Sequence, residues 1–203
     1  MKIGIDVDDT IVMTLIPMVK YANKYNREVL GRDGIVGNFG LIQNRYYLEA
    51  LYGWNAKEKY GFFDMYYKNV LEECEMIQDV DKVCQKLKKE KNLIYFITAR
   101  MTNIKNCNSE EITKKTLVNN NIPYDKLIFD ASNKLDVCKK EGIDLLIEDS
   151  YETCKELLDN GIKSILVTTK MNERINSNDV PRVYNWNEVY DQVMKMNSQE
   201  SLV

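Results

Sequence analysis

Residues 2–10 read KIGIDVDDT, an apolar run that stops at a group of acids. Its large apolar residues alternate with smaller or polar ones, which predicts a β-strand over residues 2–7. Asp6 and Asp8 lie two positions apart at the end of that strand, so their side chains point to the same side of it. Together with Asp9 they repel one another, and a bound divalent cation such as Mg²⁺, which prefers oxygen ligands, would offset the repulsion.

The pattern of this first strand recurs along the chain. Four more short apolar runs predict strands, and helical periodicity lies between them; Gly142 and Gly161 follow two of the helices, where a helix is expected to end. Strands that alternate with helices predict an α/β fold with a doubly wound parallel sheet, in which ligands bind at the carboxyl ends of the strands. The predicted strands are 93–97, 127–129, 144–147 and 163–167, and the predicted helices are 79–90, 109–121, 133–141 and 151–160.

Residues 14–76 interrupt this alternation. They open with a helical stretch that has Pro17 in its first turn, continue through a glycine-rich loop, and then show helical patterns without a convincing strand. We interpret them as a small helical cap domain inserted after the first strand, with the α/β core formed by residues 1–13 and 77–196. The polar residues 197–203 are expected to be a frayed tail.

The inserted segment is rich in aromatic residues, since half of the Tyr, Trp and Phe residues of the chain lie between positions 39 and 67. Rings are large apolar bodies, so one interpretation is that they form the core of the insert. The other is that a few of them stack on a flat ligand. The candidates for that role are Phe39, Tyr46, Trp54 and Phe63.

A second acidic pair, Glu148-Asp149, ends the predicted strand 144–147. Because all carboxyl ends of a parallel sheet lie at one edge, this pair can meet the acids at the end of the first strand. One acidic pair alone would be typical of a helix cap or a solvated turn. Two pairs at the same edge favour a functional site.

Two further polar residues are predicted at this edge. Thr98 follows the strand 93–97, and Lys134 begins the helix that comes after the strand 127–129. Each is a weak signal alone, because Thr is a common helix cap and most Lys side chains are solvated. The ordered pattern of acids, Thr, Lys and acids is far more specific than any one of its members.

The composition excludes several classes of chemistry. There is no histidine among the 203 residues, which excludes Ser-His-Asp and Cys-His hydrolases and His-ligated zinc enzymes within this chain. Lys and Arg number 28 against 31 Asp and Glu, without a basic run, so duplex nucleic acid is not an expected partner. Catalysis would have to use carboxylates, Lys, hydroxyls, thiols or a hard metal ion.

The cysteine pattern and the apolar runs predict a cytoplasmic protein. Five cysteines, an odd number with no C-x-x-C pair, predict free thiols in a reducing compartment. No apolar run approaches the roughly 18 residues that cross a bilayer, and the first residues do not have the pattern of a secretory signal. We therefore expect no membrane partner.

The ordered motifs resemble those of the haloacid dehalogenase superfamily, and the resemblance spans the whole α/β core. The insert also lies between the first and second motifs, where that superfamily places one kind of cap. In order along the chain, the four motifs are Asp6-Val7-Asp8-Asp9-Thr10, Thr98, Lys134 and Glu148-Asp149.

Within the superfamily, the strings around the second and fourth motifs, ITAR at 97–100 and IEDS at 147–150, resemble the 5′(3′)-deoxyribonucleotidase-like branch and its bacterial relatives. Asp9 and Ala99 depart from that branch, which often has Gly and a second hydroxyl at these places. The substrate implied by the resemblance is a small phosphorylated molecule, with a nucleoside monophosphate favoured by the aromatic residues of the insert.

The resemblance implies a phosphatase that uses Mg²⁺ and forms an aspartyl-phosphate. Asp6 would be the nucleophile, and Asp8 would protonate the leaving alkoxide and later take a proton from water. Carboxylates of Asp6 and Asp149 and the backbone carbonyl of Asp8 would bind Mg²⁺. Glu148 would hold a metal-bound water from outside the ligand set.

The remaining motif residues are expected to act on the phosphate or on the loop. Thr98 and Lys134 would contact phosphate oxygens, and Lys134 would also relieve the repulsion between the phosphate and Asp6. For Arg100 two roles stay open, a phosphate contact and a structural ion pair. Asp9 is expected to turn away and to assist the loop or the cap hinge.

Three other functions share parts of this pattern. A receiver-like regulatory domain would carry its phosphorylated Asp on a middle strand and would not have a 60-residue aromatic insert. A catalytically silent ligand-binding protein of the same fold would have lost Asp6, Asp8, Lys134 or Asp149, and all four are present. A phosphatase for another small phosphorylated metabolite or for a polynucleotide end would use the same residues and stays open.

Overall fold

The computed structural model describes residues 1–34 and 47–200, without the side chains of Tyr47, Gln199 and Glu200. Six of its strands form one sheet, in the spatial order β5-β4-β1-β6-β7-β8, and every neighbouring pair is parallel. The six strands are β1 Lys2–Ile5, β4 Leu93–Ile97, β5 Lys126–Ile128, β6 Leu145–Glu148, β7 Lys163–Val167 and β8 Arg182–Val183.

Helices follow the strands and cover both faces of the sheet. Leu145 and Ile147 of β6 belong to one hydrophobic cluster, and Leu146 between them belongs to another, as alternation along a strand buried on both faces requires. The helices of this α/β part are α4 Val80–Lys89, α5 Ser109–Asn119, α6 Lys134–Glu141, α7 Tyr151–Asp159 and α8 Trp186–Glu200.

The sequence predicted the fold class and five of the six strands of this sheet correctly. The strands 93–97 and 163–167 match their predicted ranges, and the other three differ by one or two residues at their ends. Strand β8 and helix α8 were not predicted from the sequence. Helix α8 continues to Glu200, so residues 197–200 form its last turn, and the frayed tail over residues 197–203 stays a prediction.

The segment between β1 and α4 is helical, as expected, but it is flanked by a short antiparallel strand pair. Val12 pairs with Met76 and Met13 with Glu75, so the two ends of the segment leave the core side by side. The elements are β2 Val12–Met13, α1 Leu15–Glu28, α2 Tyr47–Tyr52, α3 Ala56–Glu72 and β3 Glu75–Met76.

These three helices share one hydrophobic cluster, which also includes Ile104 and Cys107 from the segment before α5. Tyr25, Tyr52, Trp54 and Phe62 pack together in it, separate from the cluster that fills the space between the sheet and helices α4 and α8. The division into residues 1–13 with 77–196 and residues 14–76 remains a prediction. Among the helices that the structure describes, none combines the length and apolar character that crossing a membrane requires.

Candidate active site

The strand order places the predicted motifs at one edge of the sheet. β1 lies between β4 and β6, with Ile5 in register with Phe96 on one side and Ile147 on the other. The chain builds the sheet outward from β1 to β5 and then crosses back to place β6 on the other side of β1. This change of direction opens a crevice at the carboxyl ends of the strands, where ligands bind in such sheets.

The loop after β1 is held by backbone hydrogen bonds. The N–H of Asp6 donates to the carbonyl of Ile147 at 2.9 Å, so β1 pairing extends to this residue. The N–H groups of Ile11 and Val12 both donate to the carbonyl of Val7, which folds the loop into a tight turn. These backbone hydrogen bonds hold Asp6 and Asp8 in place independently of their side-chain contacts.

Three carboxylates meet at this edge. One oxygen each from Asp6, Glu148 and Asp149 lie within 4.8 Å of one another. A hard divalent cation such as Mg²⁺ is bound by this kind of donor set, so the residues present fit the predicted ion. The structure thus brings the first and fourth motifs together.

Lys134 lies beside this carboxylate cluster and is not solvated. It starts α6, is buried, and its Nζ donates to Asp6 Oδ1 and, at 2.7 Å, to Glu148 Oε2. Its two acidic neighbours hold the pKa of Lys134 above its usual value despite burial, which alone would lower it. Lys134 is therefore a buried cation that partly compensates the charge of the cluster.

The acids of the cluster titrate differently because their partners differ. Burial raises the pKa of Asp6 to about 7, a rise that Glu148 and Asp8 reinforce and Lys134 opposes. Burial raises the pKa of Asp149 well above its usual range, and the neighbouring charges of Glu148 and Asp6 raise it further. Without a cation, Asp6 and Asp149 are thus the acids that protonate most readily.

Glu148 is the acid whose oxygens are committed to protein donors. Burial raises its pKa, but Lys134, together with hydrogen bonds from Asp149 and Ser150, holds the pKa below its usual value. Its Oε1 accepts the N–H groups of Asp149 and Ser150, both at 3.1 Å, while Lys134 donates to Oε2. An acid engaged in this way suits a position outside the direct ligand set, as the resemblance implied.

Asp8 faces a different set of partners. Thr14 donates its hydroxyl to Asp8 Oδ1 at 2.6 Å, and the buried guanidinium of Arg100 donates to both carboxylate oxygens. Burial raises the pKa of Asp8, but Arg100, together with Thr14 and Lys134, lowers the pKa below its usual value. Arg100 is thus engaged in an ion pair with the predicted acid and base.

Thr98 is also close to Asp8. It is fully buried, its hydroxyl accepts the N–H of Arg100 at 3.1 Å, and the hydroxyl oxygen lies 3.5 Å from Asp8 Oδ2. The predicted phosphate contact of Thr98 stays a prediction.

Asp9 turns away from the carboxylate cluster and supports the loop. Its φ is +54°, and its Oδ1 accepts the N–H groups of Thr14 and Leu15 at 2.9 and 3.0 Å. These are donors at the start of α1 that have no partner within the helix. Burial raises the pKa of Asp9 to about 6, against the effect of the two N–H donors.

A cavity of about 490 Å³ lies over these residues, and the helical insert forms part of its wall. Phe63, one of the four stacking candidates, lines it, and its contact with a ligand stays a prediction. Trp54 is 4% exposed and stacks on Tyr52 inside the core of the insert, so it is not among the described residues that line the cavity. Phe39 and Tyr46 lie outside the described residues.

Several wall residues were not among the predicted ones. Tyr60 and Tyr67 lie on the same face of α3 as Phe63, spaced by three and four positions, and Lys59 forms an ion pair with Glu49 of α2 at the cavity wall. The high density of aromatic residues between positions 39 and 67 was the sequence signal that pointed to Tyr60 and Tyr67. It could not distinguish the rings that face the cavity from those that face the core.

Asn172 is another residue that sequence reasoning missed. It is almost fully buried, and its side-chain amide donates to the carbonyls of Asp149 and Val167, both at 2.7 Å. It ties the loop after β7 to the backbone of the fourth motif. No sequence signal pointed to it, because a single Asn in a polar loop is common.

Comparison with known proteins agrees with this geometry. No family model matches the chain. A nucleotidase from Clostridium acetobutylicum is 28% identical over 191 residues, which cover 94% of this chain and 92% of that protein.

Solved structures share the fold at low sequence identity. A predicted phosphatase from Clostridium acetobutylicum is 14% identical with a TM-score of 0.73 and covers 96% of this chain and 98% of its own. A haloacid dehalogenase-like hydrolase from Streptococcus pneumoniae is also 14% identical, with a TM-score of 0.71 and coverage of 95% and 97%. These likenesses confirm the predicted haloacid dehalogenase-like fold.

Proposed function

We propose, from the haloacid dehalogenase-like fold and the residues at its strand edge, that this chain is a Mg²⁺-dependent phosphomonoester hydrolase. The observation that carries the proposal is the meeting of Asp6, Glu148 and Asp149 beside the buried Lys134 at the floor of one cavity. A cluster of this kind would be costly without a ligand, because buried carboxylates repel one another. It suits the binding of a cation together with a phosphate.

The proposed ligands of Mg²⁺ are those that the resemblance implied. The carboxylates of Asp6 and Asp149 and the backbone carbonyl of Asp8 would hold the ion, and Glu148, already bound to protein donors, would lie outside them. When bound, the ion supplies positive charge that offsets the charge of the phosphate.

In the first step, a carboxylate oxygen of Asp6 attacks phosphorus in line with the leaving group. The bond between phosphorus and Asp6 forms while the bond from phosphorus to the alkoxide breaks, and Asp8 gives its proton to the alkoxide. Lys134 and the hydroxyl of Thr98 stabilise the charge on the phosphate oxygens. The step requires protonated Asp8, a form that the negative charge of the bound phosphate favours.

In the second step, water attacks the phosphorus of the aspartyl-phosphate. Asp8, now ionised, takes a proton from that water, the bond from phosphorus to Asp6 breaks, and inorganic phosphate leaves. Arg100 favours the ionised form of Asp8, which is the form that this second step uses.

A nucleoside monophosphate is the substrate class we favour. The cavity has the volume typical of small-molecule sites, and Tyr60, Phe63 and Tyr67 present ring surfaces from one face of α3. A flat base can stack on such rings. The name of the nucleotidase relative supports the same class.

A small metabolite with a second anionic group is the alternative, because Lys59 also lines the cavity. A cytoplasmic location remains a prediction, supported by the free thiols of all five cysteines.

A phosphatase panel with Mg²⁺ tests the proposal. It would compare deoxyribonucleoside and ribonucleoside monophosphates, sugar phosphates, 5′-phosphorylated oligonucleotides and aryl phosphates, with Asp6→Asn as the control. We expect nucleoside monophosphates to be hydrolysed best. The hydrolase proposal is contradicted if no ester turns over faster than with Asp6→Asn, and the nucleotidase proposal if another class is clearly preferred.

Acid-quenched labelling tests the intermediate. With a ³²P-labelled monophosphate, the protein should carry acid-stable label that Asp6→Asn abolishes and that Asp8→Asn retains for longer, because Asp8 serves as the base of the second step. Label that persists in Asp6→Asn would rule out Asp6 as the nucleophile.

A further inference from the structure

Arg100 is the buried cation whose role the motif pattern left open. Its side chain is 2% exposed, and each nitrogen of the guanidinium already has a protein acceptor. Nε donates to both oxygens of Asp8 at 3.1 Å and Nη2 to Oδ1 at 2.8 Å, while Nη1 donates to the hydroxyl of Thr113 on α5 at 2.8 Å. The side chain thus joins the loop after β1 to a helix from the second half of the chain.

The anchor at Thr113 is itself fixed. Its hydroxyl donates to the carbonyl of Ser109 at 2.7 Å. The lone pairs of that hydroxyl are therefore left to accept from Arg100. A planar guanidinium held at one end by Thr113 has little freedom to rotate, and its other two nitrogens present a fixed edge to Asp8. Arg100 thus connects Asp8 to a residue of α5.

The two oxygens of Asp8 are held unequally. Oδ1 accepts from Thr14 at 2.6 Å and from two nitrogens of Arg100, whereas Oδ2 accepts from Nε at 3.1 Å and from Thr98 at 3.5 Å. Both residues lie at the cavity wall, but the Asp8 side chain is 32% exposed and the Arg100 side chain only 2%. Oδ1 is the anchored oxygen and Oδ2 is the one available to carry a proton.

We propose that Arg100 is a positioning residue that fixes Asp8 by its Oδ1, so that Oδ2 exchanges the proton with the leaving group, and that Arg100 does not bind the phosphate. This inference rests on the proposed hydrolase function. Asp8 and Thr113 take up three of the five N–H groups of the guanidinium, and turning the buried side chain toward a phosphate would break these bonds. Removing a neutral acceptor or a carboxylate from a buried guanidinium is costly, since the donor is left unpaired.

The basicity of the leaving group distinguishes a positioning role of Arg100 from a phosphate contact and from a role in stability only. Proton donation matters more for a basic leaving oxygen than for one that departs readily as an anion. Phenyl phosphate and 4-nitrophenyl phosphate have nearly the same shape, but phenolate is the more basic leaving group. The measured quantity is kcat/KM, because it reports on steps up to departure of the leaving group, together with inhibition by inorganic phosphate.

Two variants weaken the position of Asp8 while keeping its carboxylate. Arg100→Lys keeps the charge but cannot bridge Asp8 and Thr113, and Thr113→Val removes only the anchor. We expect Arg100→Lys to lower kcat/KM for phenyl phosphate by about tenfold or more, a part of the ~10²–10⁴-fold that a general acid contributes. For 4-nitrophenyl phosphate, the loss of kcat/KM in Arg100→Lys should stay within about threefold. Thr113→Val should also lose more kcat/KM for phenyl phosphate than for 4-nitrophenyl phosphate, with smaller losses on both esters.

Thr116→Val is the matched control. Thr116 is on the same helix, its hydroxyl donates to the carbonyl of Ile112 four residues back, and no described contact joins it to Arg100. It measures the cost of losing such a hydroxyl from α5. Thermal unfolding of all variants identifies losses caused by instability, and Thr113→Val decides the question if Arg100→Lys does not fold.

Each other outcome contradicts the inference. An equal loss on both esters with weaker inhibition by phosphate shows a phosphate contact. An equal loss of kcat/KM on both esters with unchanged inhibition by phosphate shows a role in stability only. The same conclusion follows if Thr113→Val and Thr116→Val have the same kcat/KM values. If excess wild-type protein hydrolyses neither ester, the hydrolase proposal fails and the inference fails with it. If the wild-type protein hydrolyses both esters and the variants lose kcat/KM equally on both, only the inference is contradicted.

Discussion

At the scale of single residues, the site is a set of acids whose protonation depends on what lies beside each of them. Asp6 and Asp149 have raised pKa values because they are buried together, and Glu148 has a lowered one because Lys134 donates to it. A cation that binds this cluster must displace protons from the raised acids. Metal affinity is therefore linked to pH in a direction that follows from these shifts.

Binding of Mg²⁺ should weaken as the pH falls. The carboxyl group of Asp6, with a pKa of about 7, is mostly ionised at pH 8 and mostly protonated at pH 6, and only the ionised form binds the cation. Below the pKa, we expect the affinity for Mg²⁺ to fall by about tenfold per pH unit for each proton that the ion displaces. Calorimetry in two buffers of different ionisation enthalpy measures the protons released. An affinity that does not change between pH 8 and 6 would contradict the raised pKa of Asp6.

Asp9 should contribute to stability and not to chemistry. Asp9→Asn keeps an acceptor for the N–H groups of Thr14 and Leu15 and tolerates the positive φ, so we expect little change in the free energy of unfolding. Asp9→Ala loses the cap, which costs roughly 1 kcal/mol. It also adds strain of roughly 1 kcal/mol or more, because alanine is forced into a positive φ. Urea unfolding in EDTA measures both variants.

Asp9→Gly separates the two contributions to that loss, since it removes the acceptor but accepts the positive φ. It should be less destabilising than Asp9→Ala and more so than Asp9→Asn. Equal stability of Asp9→Asn and Asp9→Ala would show that the cap does not stabilise the loop.

At the scale of elements, helix α3 serves two surfaces at once. Phe62 is fully buried against Tyr25 and Trp54 in the core of the insert, while the adjacent Phe63 is partly exposed and lines the cavity. The step of about 100° between neighbouring positions of a helix places consecutive rings on different faces. The aromatic richness of this segment therefore supports both the folding of the insert and the shape of the site.

Adjacent alanine substitutions should separate these two functions. Phe62→Ala should lower the free energy of unfolding by about 3–5 kcal/mol, the usual cost of removing a buried ring. Phe63→Ala should cost less stability but raise KM for nucleoside monophosphates several-fold, with a smaller change for 4-nitrophenyl phosphate. Denaturant unfolding and steady-state kinetics check the pair, and an unchanged KM in Phe63→Ala would exclude base stacking on this ring.

At the scale of the whole molecule, the end of the chain supports the loop at its beginning. Trp186, the first residue of α8, is buried and donates its indole N–H to the carbonyl of Thr10 at 3.0 Å. Thr10 in turn donates its hydroxyl to Asp6 at 3.3 Å. The candidate nucleophile is thereby connected to a helix near the other end of the chain.

Trp186→Phe should destabilise the protein by about 1–3 kcal/mol, because the buried carbonyl of Thr10 loses its donor. Activity should also fall, since the loop that carries Asp6 loses this support. Tyr184→Phe is a matched control at an exposed position two residues earlier. Its effect on the free energy of unfolding should stay within about 0.5 kcal/mol, as is usual for surface substitutions. If both variants unfold at the same denaturant concentration, the contact with Thr10 does not stabilise the loop.

The sequence by itself determined the α/β class, five of the six strands of the parallel sheet and the edge at which the motifs meet. Local periodicity distinguishes strands from helices, and a parallel sheet places every carboxyl end on one side, so Asp6 and Glu148 had to lie near each other once the alternation was recognised. The two-residue strands were not recognised because elements so short leave little local signal. Helix α8 did have a signal, since Asn185 and Glu188 have the spacing of a capping box and Asn185 accepts the N–H of Glu188 at 3.0 Å, but that signal was overlooked.

Only the tertiary structure decided which partner each side chain has. Arg100 could have met phosphate or an acid, and its contact with Asp8 comes from a distant segment of the chain. Trp54 and Phe63 are both rings in the same segment, and packing alone placed the first in the core and the second at the cavity. Periodicity depends on neighbours along the chain, whereas a buried ion pair or a ring contact depends on which distant surfaces the fold brings within a few ångströms.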